Sequence, residues 1–147
     1  MIKSCVINGE LSHALALARH KDAIVLCDAN MPIPEGCRVI DVSLVRGIPT
    51  LLQTLKAVLN DLVAERYQVF ELMPQYNPEM YQTIRGMLEK LPGGTISQRE
   101  LQEVMLRAKA VVRTGDFGSC CTMVLYSASG MDKYVERFDC SFGQEGD

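Results

Sequence analysis

The stretch His20 to Gly36, HKDAIVLCDANMPIPEG, decides how the rest of the chain is read. Its apolar run Ala23-Ile24-Val25-Leu26 carries β-branched residues and is bounded by polar and Pro/Gly signals, the pattern of a buried strand. Asp28 then falls at the strand's C-terminal end, where open α/β sheets place their ligand groups. Pro32 and Pro34 each hold φ at roughly −65° and remove a backbone donor, so the loop makes a stiff rim and a poor helix or central strand. A carboxylate beside a rigid rim predicts a small-molecule site. His20 stands just before the strand, and imidazole is the side chain that exchanges protons most readily near neutral pH. Both residues also have plainer readings: a histidine after a helix can cap its C-terminus, and an aspartate at a strand end can cap a turn.

Working outward, Leu11, Ala14, Leu15 and Ala18 recur at helical spacing between Asn8 and Arg19, with Asn8 or Ser12 as candidate caps. Residues Arg38 to Val42 read as a second strand and Val45 to Pro49 as a turn. Thr50 opens an amphipathic helix carrying Leu52, Leu55, Val58, Leu59 and Leu62 on one face. Tyr67 to Met73 has strand composition. Asn77-Pro78-Glu79 offers an N-cap, a first-turn proline and an early carboxylate, so a helix starts there and should end at Pro92-Gly93-Gly94. Thr95-Ile96 follows as a brief extended pair. Ser97-Gln98-Arg99-Glu100 matches a capping box, which predicts a helix to about Lys109. Ala110 to Arg113 and Thr122 to Tyr126 complete the strands, joined by the loop Thr114 to Ser119. This alternation predicts an α/β fold, a single-domain three-layer sandwich with helices on both faces of the sheet.

The 147 residues suit one domain, read as residues 1–130 with a polar tail over 131–147. The composition, 48% hydrophobic and 22% charged, is globular. No apolar run approaches the roughly 18 residues of a membrane helix, and the N-terminus lacks the apolar core of a signal peptide, so the expected location is the cytoplasm, with no membrane partner. A net charge of −3 with scattered basic residues argues against nucleic acid. Six cysteines without a C-x-x-C pair read as reduced, partly buried small hydrophobes rather than a zinc site. The loop Thr114-Gly115-Asp116-Phe117-Gly118 lacks a Gly-Lys-Ser/Thr ending, which argues against a nucleotide. Cys120-Cys121 reads as packing, and Met73, Met80, Met87 and Met105 as core.

Taken together, these segments resemble the ribose pyranase and fucose mutarotase family. The likeness rests on Arg19-His20-Lys21-Asp22, the loop Asp28-Ala29-Asn30-Met31-Pro32-Ile33-Pro34, the segment Arg38-Val39-Ile40-Asp41, the turn Gly47-Ile48-Pro49 and the late run Val111-Val112-Arg113-Thr114-Gly115-Asp116. It implies a ribose pyranase-like fold and a cofactor-independent sugar isomerase. By this resemblance His20 matches the general acid/base and Asp28 a sugar-binding carboxylate. A third contact at the start of a helix falls on Gln98, with Arg99 beside it. A final Tyr-x-Asn element falls on Cys120 and Thr122, and this departure bears on the choice of sugar. The resemblance places L-fucose first, because of Arg99, and D-ribose second, because of the Asp28 to Pro34 loop. It also implies rings of identical subunits, pentamers stacked into decamers, with sites shared between neighbours. A non-catalytic sugar-binding or transport-accessory protein is the alternative of a different class. The chemistry itself needs only a positioned acid and base, worth about 10²–10⁴-fold.

Overall fold

Strand β1 (Ala23–Cys27) forms where the sequence places it, with all five residues buried. The computed structural model describes residues 1–130, and the tail expected over 131–147 lies outside them. Among the described residues five further strands join β1: β2 (Val39–Asp41), β3 (Ala64–Phe70), β4 (Gly93–Ile96), β5 (Ala110–Arg113) and β6 (Met123–Ser127). They form one six-stranded sheet in the order β2-β5-β1-β6-β3-β4. The pairs β1–β5, β2–β5 and β3–β4 are parallel, whereas β6 runs antiparallel to both β1 and β3. The C-terminal ends of the other five strands therefore share one edge of the sheet with the N-terminal end of β6.

Side chains alternate across β1, and each set meets its own helical layer. Ile24 and Leu26 join a core with Leu11 and Ala14 of α1 (Gly9–Leu17), Leu55 and Val58 of α2 (Leu51–Asp61), Met73 of α3 (Met73–Tyr76) and Ile84 of α4 (Pro78–Met87). Val25 faces the other way, toward Leu101, Val104 and Met105 of α5 (Gln98–Arg107). The three-layer α/β sandwich is confirmed, with its layers unequal. Double burial explains why β1 reads as an uninterrupted apolar run instead of alternating with polar residues.

The helix starts follow from local chemistry. Asn8, and not Ser12, caps α1 by accepting from the Leu11 amide. Thr50 with Gln53, and Ser97 with Glu100, form reciprocal capping boxes, and Asn77 accepts from the Met80 amide ahead of Pro78. Several boundaries differ from the sequence reading, among them the end of α4, which stops at Met87 well before Pro92. Strand β3 covers Ala64–Phe70 rather than Tyr67 to Met73, because its register is set by β6: Ala64 lies opposite Ser127 and Val69 opposite Met123. Met73 instead opens a short helix. Strand β4 begins at Gly93, a residue read as a helix stop, because Tyr67 pairs with it and the Tyr67 ring fills the space where a Cβ would sit. Helix α1 is also shorter than expected, ending at Leu17.

Candidate functional site at the sheet edge

Asp28 leaves β1 at the shared edge and is 9% exposed. Its Oδ1 accepts from the Asn30 amide at 2.9 Å and its Oδ2 from the Thr122 hydroxyl at 3.1 Å. The same hydroxyl faces the Asp28 amide at 3.4 Å. A carboxylate offers about four acceptor positions, and these two bonds use half of them. Thr122 is fully buried and its hydroxyl is spent on Asp28. Its place is beneath the carboxylate, where it sets the orientation Asp28 presents.

The sequence reading marked the late run Val111 to Asp116 but gave its residues no role in holding this loop. Arg113 at the end of β5 donates through Nη1 to the Ala29 carbonyl at 2.7 Å and reaches the Met31 carbonyl at 3.4 Å. Thr114, fully buried, donates to the Cys27 carbonyl at 2.8 Å and accepts from the Asp116 amide at 3.2 Å. Asp116 ties three segments together. Its backbone carbonyl accepts from Ala29 at 2.9 Å, its Oδ2 from the Leu51 amide at the start of α2 at 2.8 Å, and its Oδ1 from Gly118 at 2.7 Å. Gly115 exchanges backbone hydrogen bonds with Gly47 and Pro49 at 2.6 and 2.8 Å, and a Cβ on it would collide with the Ile48 carbonyl. The loop Thr114 to Gly118 is thus a strut beneath the Asp28 loop. The signal in sequence was the run Arg113-Thr114-Gly115-Asp116, whose partners lie 65 to 87 residues away.

Cys120 reaches the same edge just before β6, with φ at +57°. That left-handed conformation costs a side-chain-bearing residue about 1–2 kcal/mol, and the 2.8 Å bond from the Thr122 amide to the Cys120 carbonyl closes the turn that contains it. Cys120 is half-buried. Burial first, then the nearby Asp28 charge, pushes its thiol above the ordinary range. Burial pushes the thiols of Cys27 and Cys121 up to about 12, with Asp116 adding to the shift at Cys121. Cys27 and Cys121 are fully buried and pack in the core.

Gln98 and Arg99 open α5 at the same edge of the sheet, and both are exposed. Arg99 points its guanidinium at Glu103, one turn on, at 3.6 Å. His20 lies elsewhere. It precedes β1, at the opposite end of that strand from Asp28, and its Nε2 is 2.9 Å from Oε2 of Glu65 at the start of β3. Five residues at roughly 3.3 Å each put about 16 Å of strand between the two positions. The expected His20/Asp28 pair is therefore not assembled within one chain. His20 is also no cap for α1, whose C-cap is Ala18.

With that geometry in place, known proteins can be set beside it. A family model described as the RbsD / FucU transport protein family matches residues 1–129. The D-ribose pyranase of Haemophilus influenzae is 33% identical over 135 residues, covering 86% of this chain and 97% of that protein. The D-ribose pyranase of Geobacillus thermodenitrificans is 36% identical over 127 residues, covering 86% and 96%. Among solved structures, Bacillus subtilis RbsD complexed with D-ribose superposes with a TM-score of 0.82 at 28% identity, covering 87% of this chain and 98% of that one. The fucose mutarotase of Streptococcus pneumoniae in complex with L-fucose superposes with a TM-score of 0.69 at 22% identity, covering 83% and 93%, and shares the fold. Matched across its described length by sequence and by fold, the chain belongs to the RbsD / FucU transport protein family, a group that includes sugar ring-interconverting isomerases.

Proposed function

We propose that the protein interconverts the ring forms of a reducing monosaccharide, with D-ribose as the first substrate to test. The observation that carries this reading is the buried, half-satisfied Asp28 carboxylate at the sheet edge, in a chain 33–36% identical to D-ribose pyranases along nearly their whole length. The sequence expectation put L-fucose first because of Arg99. That side chain is 90% exposed and turned toward Glu103, which removes the argument, so L-fucose becomes the second reading.

In the proposed reaction a proton leaves the anomeric hydroxyl, whose oxygen becomes the carbonyl oxygen, and the bond from the anomeric carbon to the ring oxygen breaks. The electron pair of that bond stays on the ring oxygen, which takes up a proton. Reclosure by the same or another hydroxyl gives a different anomer or ring size, with no net change in protons. His20 carries the proton and Asp28 holds the sugar hydroxyls. Because the two flank opposite ends of β1, one chain's pair cannot meet around one sugar, and a site shared between copies supplies His20 from a neighbour. Exposed Leu44, Val45, Ile48 and Phe117 beside the Asp28 edge support a subunit contact there. The five described cysteines are free, which suits the reducing cytoplasm.

Saturation-transfer NMR on equilibrated D-ribose and L-fucose tests the proposal. Faster exchange with one sugar supports it and names the substrate. Binding without faster exchange points instead to a sugar-binding protein.

A further inference from the structure

The tip that presents His20 is fixed at both backbone and ring. The Asp22 amide donates to the Arg19 carbonyl at 3.0 Å, closing a four-residue turn with His20 and Lys21 at its centre. Lys21 has φ at +72°, a conformation that normally favours glycine. The chain holds it there: the Lys21 amide donates to the Ser127 carbonyl at 2.8 Å, and the Asp22 carboxylate accepts from the Arg19 amide at 2.8 Å while facing Lys109 at 3.7 Å. Strained backbone that its surroundings over-determine is a mark of a constrained functional position.

The ring is held in turn. Glu65 comes from β3, 45 residues away, and meets Nε2 of His20 at 2.9 Å. We propose that Glu65 is the positioning residue of this site: it accepts the Nε2 proton of His20, so that Nδ1 is the nitrogen that exchanges a proton with the sugar. A carboxylate only accepts hydrogen bonds, so the neutral imidazole facing it carries its proton on Nε2 and its lone pair on Nδ1. The half-exposed ring then offers a single nitrogen in a single orientation. Glu65 and His20 form one rigid unit, carried by the same chain to whichever Asp28 it serves.

Nitrogen NMR tests this on the intact protein. The chain has two histidines, so His13→Gln leaves one histidine signal. Two-bond proton–nitrogen correlation on the neutral ring should show the proton on Nε2, and carbon relaxation should show an ordered ring that becomes disordered in Glu65→Ala. A proton on Nδ1, or a ring equally ordered in Glu65→Ala, would overturn the assignment. In the kinetic arm, which alone rests on the proposed function, Glu65→Ala should lower kcat about tenfold with KM unchanged, and Glu65→Gln, which can still accept from Nε2, should recover most of it. Wild-type kcat in Glu65→Ala would also overturn it. If the wild type proves inactive on both sugars, the proposed function fails, and the ring measurements alone decide for or against Glu65.

Discussion

The two ends of β1 are built on opposite plans. At the C-terminal end Asp28, Thr114, Asp116 and Thr122 are all buried, and their side chains interlock segments far apart in sequence. At the N-terminal end His20 is half exposed and rests on one carboxylate. A buried polar network is rigid because breaking any member strands its partner, at about 1–3 kcal/mol each. The His20–Glu65 pair, by contrast, lies at the surface, where solvent screens its charge and the ring stays open to approach. One end is locked in place by buried hydrogen bonds, and the other holds an imidazole at the surface. Under the proposed function, the difference lets a small fold hold the Asp28 carboxylate firmly and still leave the His20 ring accessible.

The largest expected effect comes from removing the exposed end. His20→Ala should lower sugar exchange by about 10²–10⁴-fold, equivalent to about 3–5 kcal/mol of barrier, while the melting temperature holds, and both can be measured on one sample. A lower melting temperature with exchange intact would make His20 a structural residue only. The comparison sharpens when the two ends are separated between chains. An equal mixture of His20→Ala and Asp28→Asn, each inactive alone, should recover exchange at about a quarter of its interfaces after subunit reassortment, because that fraction pairs two intact ends. No recovery despite proven exchange of subunits, or a monomer by light scattering, would place the site within one chain.

At the buried end, Thr122→Val keeps the shape and removes the hydroxyl. Asp28 then loses its partner on Oδ2, and unfolding in urea should show a loss of about 1–3 kcal/mol together with slower exchange. Unchanged stability would mean that water replaces the hydroxyl freely. The smallest effect concerns the thiols. With Cys27 and Cys121 pushed up to about 12, the fraction ionised at pH 8 is about one in ten thousand. Alkylation followed by mass spectrometry on the folded protein should modify exposed Cys5 and spare both, whereas unfolding should equalise all three.

Elements whose signals are local can be read from the chain alone. Capping boxes at Thr50 and Ser97, the Asn77-Pro78 start and the apolar run of β1 each arise from atoms a few residues apart, so they are legible without the fold. Asp28 was legible for the same reason, at the end of an unmistakable strand. Pairings over long separations emerge only once the chain is folded. Register against β6 moved β3 back to Ala64, and the Tyr67 ring made Gly93 part of a strand. Thr122, read as a ligand contact, became the partner of Asp28 across 94 residues, and Glu65 met His20 across 45. The run His20 to Asp28 looked like one site because its ends are neighbours in sequence. An extended strand holds such neighbours apart: at roughly 3.3 Å per residue, the same apolar run that revealed the fold also sent His20 and Asp28 to opposite edges of the sheet.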